Sequence, residues 1–190
     1  MAKTGERKAQ ILQTLAAMLE DPKGERITTA LLAARLDVSE AALYRHFSSK
    51  AQMFEGLIEF IEQTVFGLVN KIQAEEQDAL KQVEATVATL LGFAQKNPGM
   101  TRVLIGDALV NEDERLLARV NQLLDRLEAS LRQSTRLAMA AGIFPADWDA
   151  NAYANAVIAF VVGRWHQFAK SGFKRAPMEG WQQQWRVFAP

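Results

Sequence analysis

The sequence contains no cysteine. That excludes a disulfide framework, thiolate zinc ligation and a cysteine nucleophile, and a reducing cytoplasm is the expected setting. Histidine is almost as scarce. His46 and His166 are the only two, and neither stands in an H-x-x-x-H or H-E-x-x-H spacing, so no zinc-hydrolase site is expected. Glycine-rich phosphate loops and a G-x-S-x-G nucleophile turn are also missing. No apolar run approaches the roughly 20 residues that span a bilayer, and residues 1–20 have no signal-peptide core, so no membrane association is expected. Nor does charge of one sign dominate: Lys and Arg number 22 and Asp and Glu number 22, which excludes a bulk polyelectrolyte-binding chain. The acidic cluster Glu75, Glu76 and Asp78 has no histidine nearby and reads as a solvated helix end. These absences together point to a protein that is not an enzyme and uses no cofactor or metal.

What is present is helical patterning over 190 residues, 49% of them hydrophobic. Ile11, Leu12, Leu15, Met18 and Leu19 form one stripe at helical spacing. Leu57, Ile58, Ile61, Val65, Leu68, Val69 and Ile72 form another. No stretch alternates like a strand with turn residues at both ends. Pro22, Pro98 and Pro145 fall where apolar patterns stop. The predicted helices cover 6–20, 29–36, 40–46, about 50–74, 79–96, 99–110, 113–140 and 149–170, with Asp147 or Asp149 capping the last. The fold class is therefore all-α. Residues 1–50 are expected to form one domain extending into the start of the fourth helix, 51–170 a second, and 171–190 a tail whose structure the sequence does not define.

Two short helices within the first 50 residues are joined by Leu36-Asp37-Val38-Ser39, the plan of a helix-turn-helix whose second helix enters the major groove of DNA. Thr28 and Ser39 can cap these helices, and Glu40 suits the positive end of the second helix dipole. Asp37 occupies a turn position that favours a left-handed backbone, which Asp tolerates less well than Gly. Leu32, Ala33, Leu36, Val38, Leu43 and Phe47 make the inward set, and Ala33, Ala34, Ala41 and Ala42 permit close approach of the two helices. Ser39, Ala41, Tyr44, Arg45 and His46 are left facing outward, with Lys50 just beyond; such groups bond phosphate oxygens and base edges. This segment holds 8 Lys and Arg against 6 Asp and Glu, a net +2, whereas the remainder holds 14 against 16. The basic excess lies where DNA would.

Residues 28–57, with Tyr44-Arg45-His46-Phe47 followed by Lys50, resemble the DNA-binding domain of the TetR family of repressors. The resemblance implies a helix-turn-helix head on a larger helical dimerisation domain. It implies backbone contacts from Thr28, Tyr44, His46 and Lys50, and base-facing positions at Ser39, Glu40 and Ala41. With Thr29 and Arg45 beside them, these make up the candidate DNA-binding set. The family usually has Gly where Asp37 stands. Further blocks, among them Leu57–Glu62, Leu90-Leu91-Gly92-Phe93, Asn97-Pro98-Gly99 and Arg119–Leu123, are similar to the nucleoid occlusion branch of that family. That likeness implies a homodimer on a palindromic double-stranded site, associated with the nucleoid, which captures the C-terminal tail of the division protein FtsZ and opposes ring assembly. Phe60, Gly92, Lys96 and Asn97 stand at the partner-binding positions. Leu68 replaces a basic residue there, and Lys96 an arginine.

The residues alone leave Phe60 open to two readings. Gly56, Phe60, Gln63 and Gly67 share a helix face, either a shallow concave surface for a peptide or a place where another helix packs closely over Phe60. The helix over 113–140 carries Leu116, Leu117, Val120, Leu123, Leu124, Leu127 and Leu131, and the next carries Tyr153, Val157, Ile158, Phe160, Val161 and Trp165. Two such helices per subunit suit a four-helix dimer interface. Trp148, Trp165, Trp181, Trp185 and Phe188 make the C-terminal part rich in aromatics. An apolar pocket among them would suit the alternative function, a ligand-released transcriptional repressor.

Overall fold

A computed structural model of the chain describes residues 4–21, 27–145 and 147–190; the expected stop at Pro22-Lys23-Gly24 and Arg26 lie outside the described residues. Among the described residues there is no strand. The helices are α1 (Thr4–Met18), α2 (Thr29–Arg35), α3 (Glu40–Tyr44), α4 (Lys50–Glu75), α5 (Ala79–Lys96), α6 (Pro98–Leu104), α7 (Glu114–Ala140), α8 (Ala150–Lys170) and α9 (Trp181–Trp185), with a 3-10 turn at Asp107–Leu109. None of them is long and apolar enough to cross a membrane. The backbone groups into two compact units, residues 1–61 with 97–120, and residues 62–96 with 121–190.

In the first unit, the α1 stripe buries Ile11, Leu15 and Leu19 against α2 and α6. Leu32, Leu43, Met53, Phe54, Leu57 and Ile58 complete the core, each side chain contributing roughly 1.5–3 kcal/mol by leaving water. One approach is unusually close. A Cβ on Gly99 would stand 2.0 Å from the carbonyl oxygen of Ala16, so only glycine lets α6 rest against the α1 backbone. Arg102, one turn further on, donates to the carbonyls of Leu19 (3.3 Å) and Asp21 (3.2 Å) and to the Asp107 carboxylate (2.6 Å). It thereby satisfies carbonyls that the end of α1 leaves without helical partners. The single helix expected over 99–110 is broken in the structure. Gly106 takes φ 78°, a left-handed conformation that ends helices, and Asn111 at φ 65° makes a second turn before α7.

In the second unit, α5 packs on α8. Trp165 is buried and its indole N–H donates to the Leu90 carbonyl at 3.2 Å. Gln82, also buried, accepts from Ser134 (3.0 Å) and donates to the Glu76 carbonyl (2.8 Å), so its amide is paired inside the core. Val65 and Val69 are buried as the α4 stripe requires, but Leu68 is not: it stands 42% exposed. Of the two candidate caps for α8, Asp149 serves. Its carboxylate accepts from the Asn151 N–H at 2.7 Å, and that bond holds its pKa below the usual carboxylate value. Residues 171–190 are tied down by Arg164, whose guanidinium donates to the carbonyls of Ala176, Pro177 and Glu179. Trp181 and Trp185 of α9 are buried. The C-terminal aromatics fall into separate groups, Phe144 with Trp148 and Tyr153, and Phe160 with Trp181, Trp185 and Phe188.

Candidate nucleic-acid interface

The helix-turn-helix forms as the sequence predicts, and each side of it is capped. Thr28 Oγ1 accepts the Leu31 N–H at 3.2 Å and opens α2. Ser39 Oγ accepts the Ala42 N–H at 3.3 Å and opens α3. Asp37 takes φ 54°, the left-handed turn position, and the Val38 N–H behind it donates to the Ala33 carbonyl at 3.0 Å. The contact between the helices is narrower than the alanine content suggests. Ala33 is buried and Ala42 half-buried, while Ala34 and Ala41 face solvent. Leu32, Leu43 and Phe47 are buried beneath, with Leu36 and Val38 half-buried at the margin.

The outer surface brings most of the candidate DNA-binding residues together. Thr28, Ser39, Glu40, Ala41, Tyr44 and Arg45 are exposed, and Thr29, His46 and Lys50 half-buried. Across the two helices Thr29 Oγ1 donates to the Glu40 carboxylate at 2.6 Å, and the Tyr44 hydroxyl approaches Thr29 Oγ1 at 3.4 Å. Glu40 is thus anchored to α2 instead of projecting freely from the tip of α3. His46 is less outward than its position implies: its Nδ1 is buried and makes no hydrogen bond.

Lys50 is held most firmly. Its ammonium is hydrogen-bonded and ion-paired to Glu112, from the loop after the 3-10 turn, and lies 5.6 Å from the centre of the Phe54 ring. Glu112 and Gly99 are the residues that sequence reasoning missed. No local pattern marks a carboxylate 62 positions away as the partner of Lys50, although the Asn97-Pro98-Gly99 block is a visible sign that Gly99 is constrained.

The candidate partner-binding residues divide between the units. Phe60, in the first unit, is 48% exposed on α4, so it is not core. Gly56, one turn before it, has the close-packing role: its missing Cβ leaves room for Phe47 and Leu12. In the second unit, Gly92 and Lys96 lie one turn apart on α5, with open space above Gly92 and Lys96 exposed. Asn97 opens α6; its carbonyl accepts both the N–H (2.9 Å) and the hydroxyl (3.0 Å) of Thr101.

Comparison with known proteins places this geometry in context. The family described as "Bacterial regulatory proteins, tetR family" matches residues 23–57, and that described as "Tetracyclin repressor-like, C-terminal domain", the SlmA-like type, matches residues 77–190. The chain is 52% identical over 182 residues to the nucleoid occlusion factor SlmA of Alteromonas mediterranea, covering 96% of this chain and 93% of that one. It is 50% identical over 188 residues to the SlmA of a Marinomonas species, covering 98% and 95%. Among solved structures, a TetR transcription regulator from Haloarcula marismortui superimposes with a TM-score of 0.81 at 16% identity, covering 97% of each chain. PfmR, a TetR-family regulator from Thermus thermophilus, gives 0.78 at 22% identity, covering 94% of this chain and 96% of its own. At such identities the structures share the fold alone.

Proposed function

The chain belongs to the SlmA family of nucleoid occlusion factors, built on the TetR fold, and on that premise we propose how its residues carry out occlusion. Residues 1–50, with the start of α4, form the DNA-reading head. Thr28, Tyr44, His46 and Lys50 meet the phosphate backbone, with Thr29 and Arg45 beside them, and Ser39, Glu40 and Ala41 face base edges. The observation that carries this reading is the capped α2–α3 pair with its polar groups on one outer surface. Glu40, held by Thr29, offers a carboxylate acceptor of the kind that pairs with a cytosine amino group.

Two-fold reading of a palindrome requires a homodimer whose recognition helices stand about 34 Å apart. Residues 51–170 supply its interface. On α8, the exposed Ala152, Ala156, Ala159 and Gly163 form a stripe of small side chains along which a second copy's helix can approach closely. The partner captured is the FtsZ C-terminal tail, and the positions proposed to meet it are Phe60 and Asn97 in the first unit and Gly92 and Lys96 in the second. Phe60 provides an exposed aromatic anchor of the kind that dominates peptide binding, and Lys96 a cation. The protein acts in the cytoplasm on the nucleoid, by binding and without catalysing a reaction.

Titration of a labelled FtsZ tail peptide, read by fluorescence anisotropy with and without the protein's DNA site, tests this function. Capture of the peptide by the DNA-bound protein is the expected result. Phe60→Ala should weaken that capture at least tenfold, about 1.4 kcal/mol, while leaving DNA affinity unchanged. Indifference to the peptide, together with release of DNA by a small molecule, would replace occlusion with ligand-controlled repression.

A further inference from the structure

We infer that Glu112 acts as an internal competitor for DNA phosphate, occupying Lys50 in the free protein and surrendering it when the duplex binds. The inference rests on the reading that Lys50 meets the DNA backbone, and adds a regulatory residue to it. Lys50 is the first residue of α4, on the chain that leaves the recognition helix α3. Its ammonium does not project toward solvent. It is turned back onto Glu112, and the two side chains are only 22% and 13% exposed. A carboxylate and a phosphate diester offer the same thing to an ammonium, a pair of anionic oxygens, so the two compete for one cation.

Shielding makes the competition effective. An exposed pair would be screened by salt, whereas this pair is largely withdrawn from it. Once Lys50 leaves, Glu112 loses its ion-pair partner while its side chain is only 13% exposed, which is unfavourable unless its loop moves outward. The backbone turns at Asn111, φ 65°, directly before Glu112, whose own N–H donates to the Leu109 carbonyl at 3.0 Å. The nearby cations are already engaged: Arg102, which lines the same cavity as Glu112, pairs with Asp107 at 2.6 Å, and Arg115 pairs with Asp113 at 2.8 Å and lies 4.0 Å from Glu55. DNA occupancy is therefore coupled to the position of residues 110–113.

The test compares the full-length protein with Glu112→Gln, Lys50→Gln and the double variant, titrating each with a duplex of arbitrary sequence over a range of salt. Thermal melting of each confirms the fold. Glu112→Gln should tighten binding at least fivefold, because about fivefold is the upper range for exposed pairs and this one is shielded. Lys50→Gln should weaken binding and lower the slope of log affinity against log salt by about 0.9, one phosphate contact. In the Lys50→Gln background, Glu112→Gln should add nothing. If Lys50→Gln leaves affinity and slope as in the parent protein, the backbone role of Lys50 fails and the inference falls with it. If Lys50→Gln weakens binding but Glu112→Gln is neutral or also weakens it, Lys50 remains a DNA contact and Glu112 is its support, not its competitor.

Discussion

Replacing Gly99 by Ala tests whether α6 fixes the head through direct backbone contact. The added Cβ would lie 2.0 Å from the Ala16 carbonyl oxygen, 3.0 Å from its carbon and 3.0 Å from Leu19 Cβ. The first distance is about 1 Å inside any tolerable carbon–oxygen contact, and the obstacle is backbone, not a side chain that can rotate away. α1 and α6 must therefore separate or the first turn of α6 must distort, and overpacking of this kind costs about 1–3 kcal/mol. For a chain of this length each kcal/mol lowers the melting temperature by roughly 2–4 °C, giving a fall of about 2–12 °C. Gly67→Ala is the control. That position is an exposed helix interior with nothing within 4 Å, so alanine should stabilise by about 1 kcal/mol. Thermal melts followed by circular dichroism compare the two. A Gly99→Ala protein that melts at or above the parent temperature would refute the close-approach argument, since the same substitution at Gly67 accounts for ordinary helix propensity.

Two other substitutions probe the head. Thr28→Ala removes the cap of α2, worth about 1 kcal/mol, and should weaken binding to cognate and arbitrary duplexes alike, whereas Thr28→Ser keeps the accepting oxygen and should bind nearly as the parent does; full affinity of Thr28→Ala in anisotropy titrations would contradict a backbone role. Asp37→Gly relieves a left-handed residue at φ 54° and should raise stability by about 0.5–1 kcal/mol with DNA affinity unchanged, so a lower denaturation midpoint would show that Asp37 makes a compensating contact.

The sequence by itself determined the helical class, most helix boundaries and the helix-turn-helix, because those depend on short-range spacing. The stripe Ile11, Leu15 and Leu19, the hydroxyls of Thr28 and Ser39 ahead of their helices, and the turn at Asp37 are all local features that the chain enforces within a few residues. The candidate surface was legible for the same reason, since Ser39, Tyr44 and Arg45 lie off the buried face of their own short helix. Tertiary structure decided what distance along the chain conceals. Whether Phe60 and Leu68 are core or surface depends on what lies over them, and both proved exposed. The break at Gly106 was missed because an apolar period runs through it, while the backbone takes the left-handed turn that glycine permits. Gly99 against Ala16 and Lys50 against Glu112 join residues remote in sequence. Free volume and charge pairing are properties of neighbours in space, and only folding supplies those neighbours.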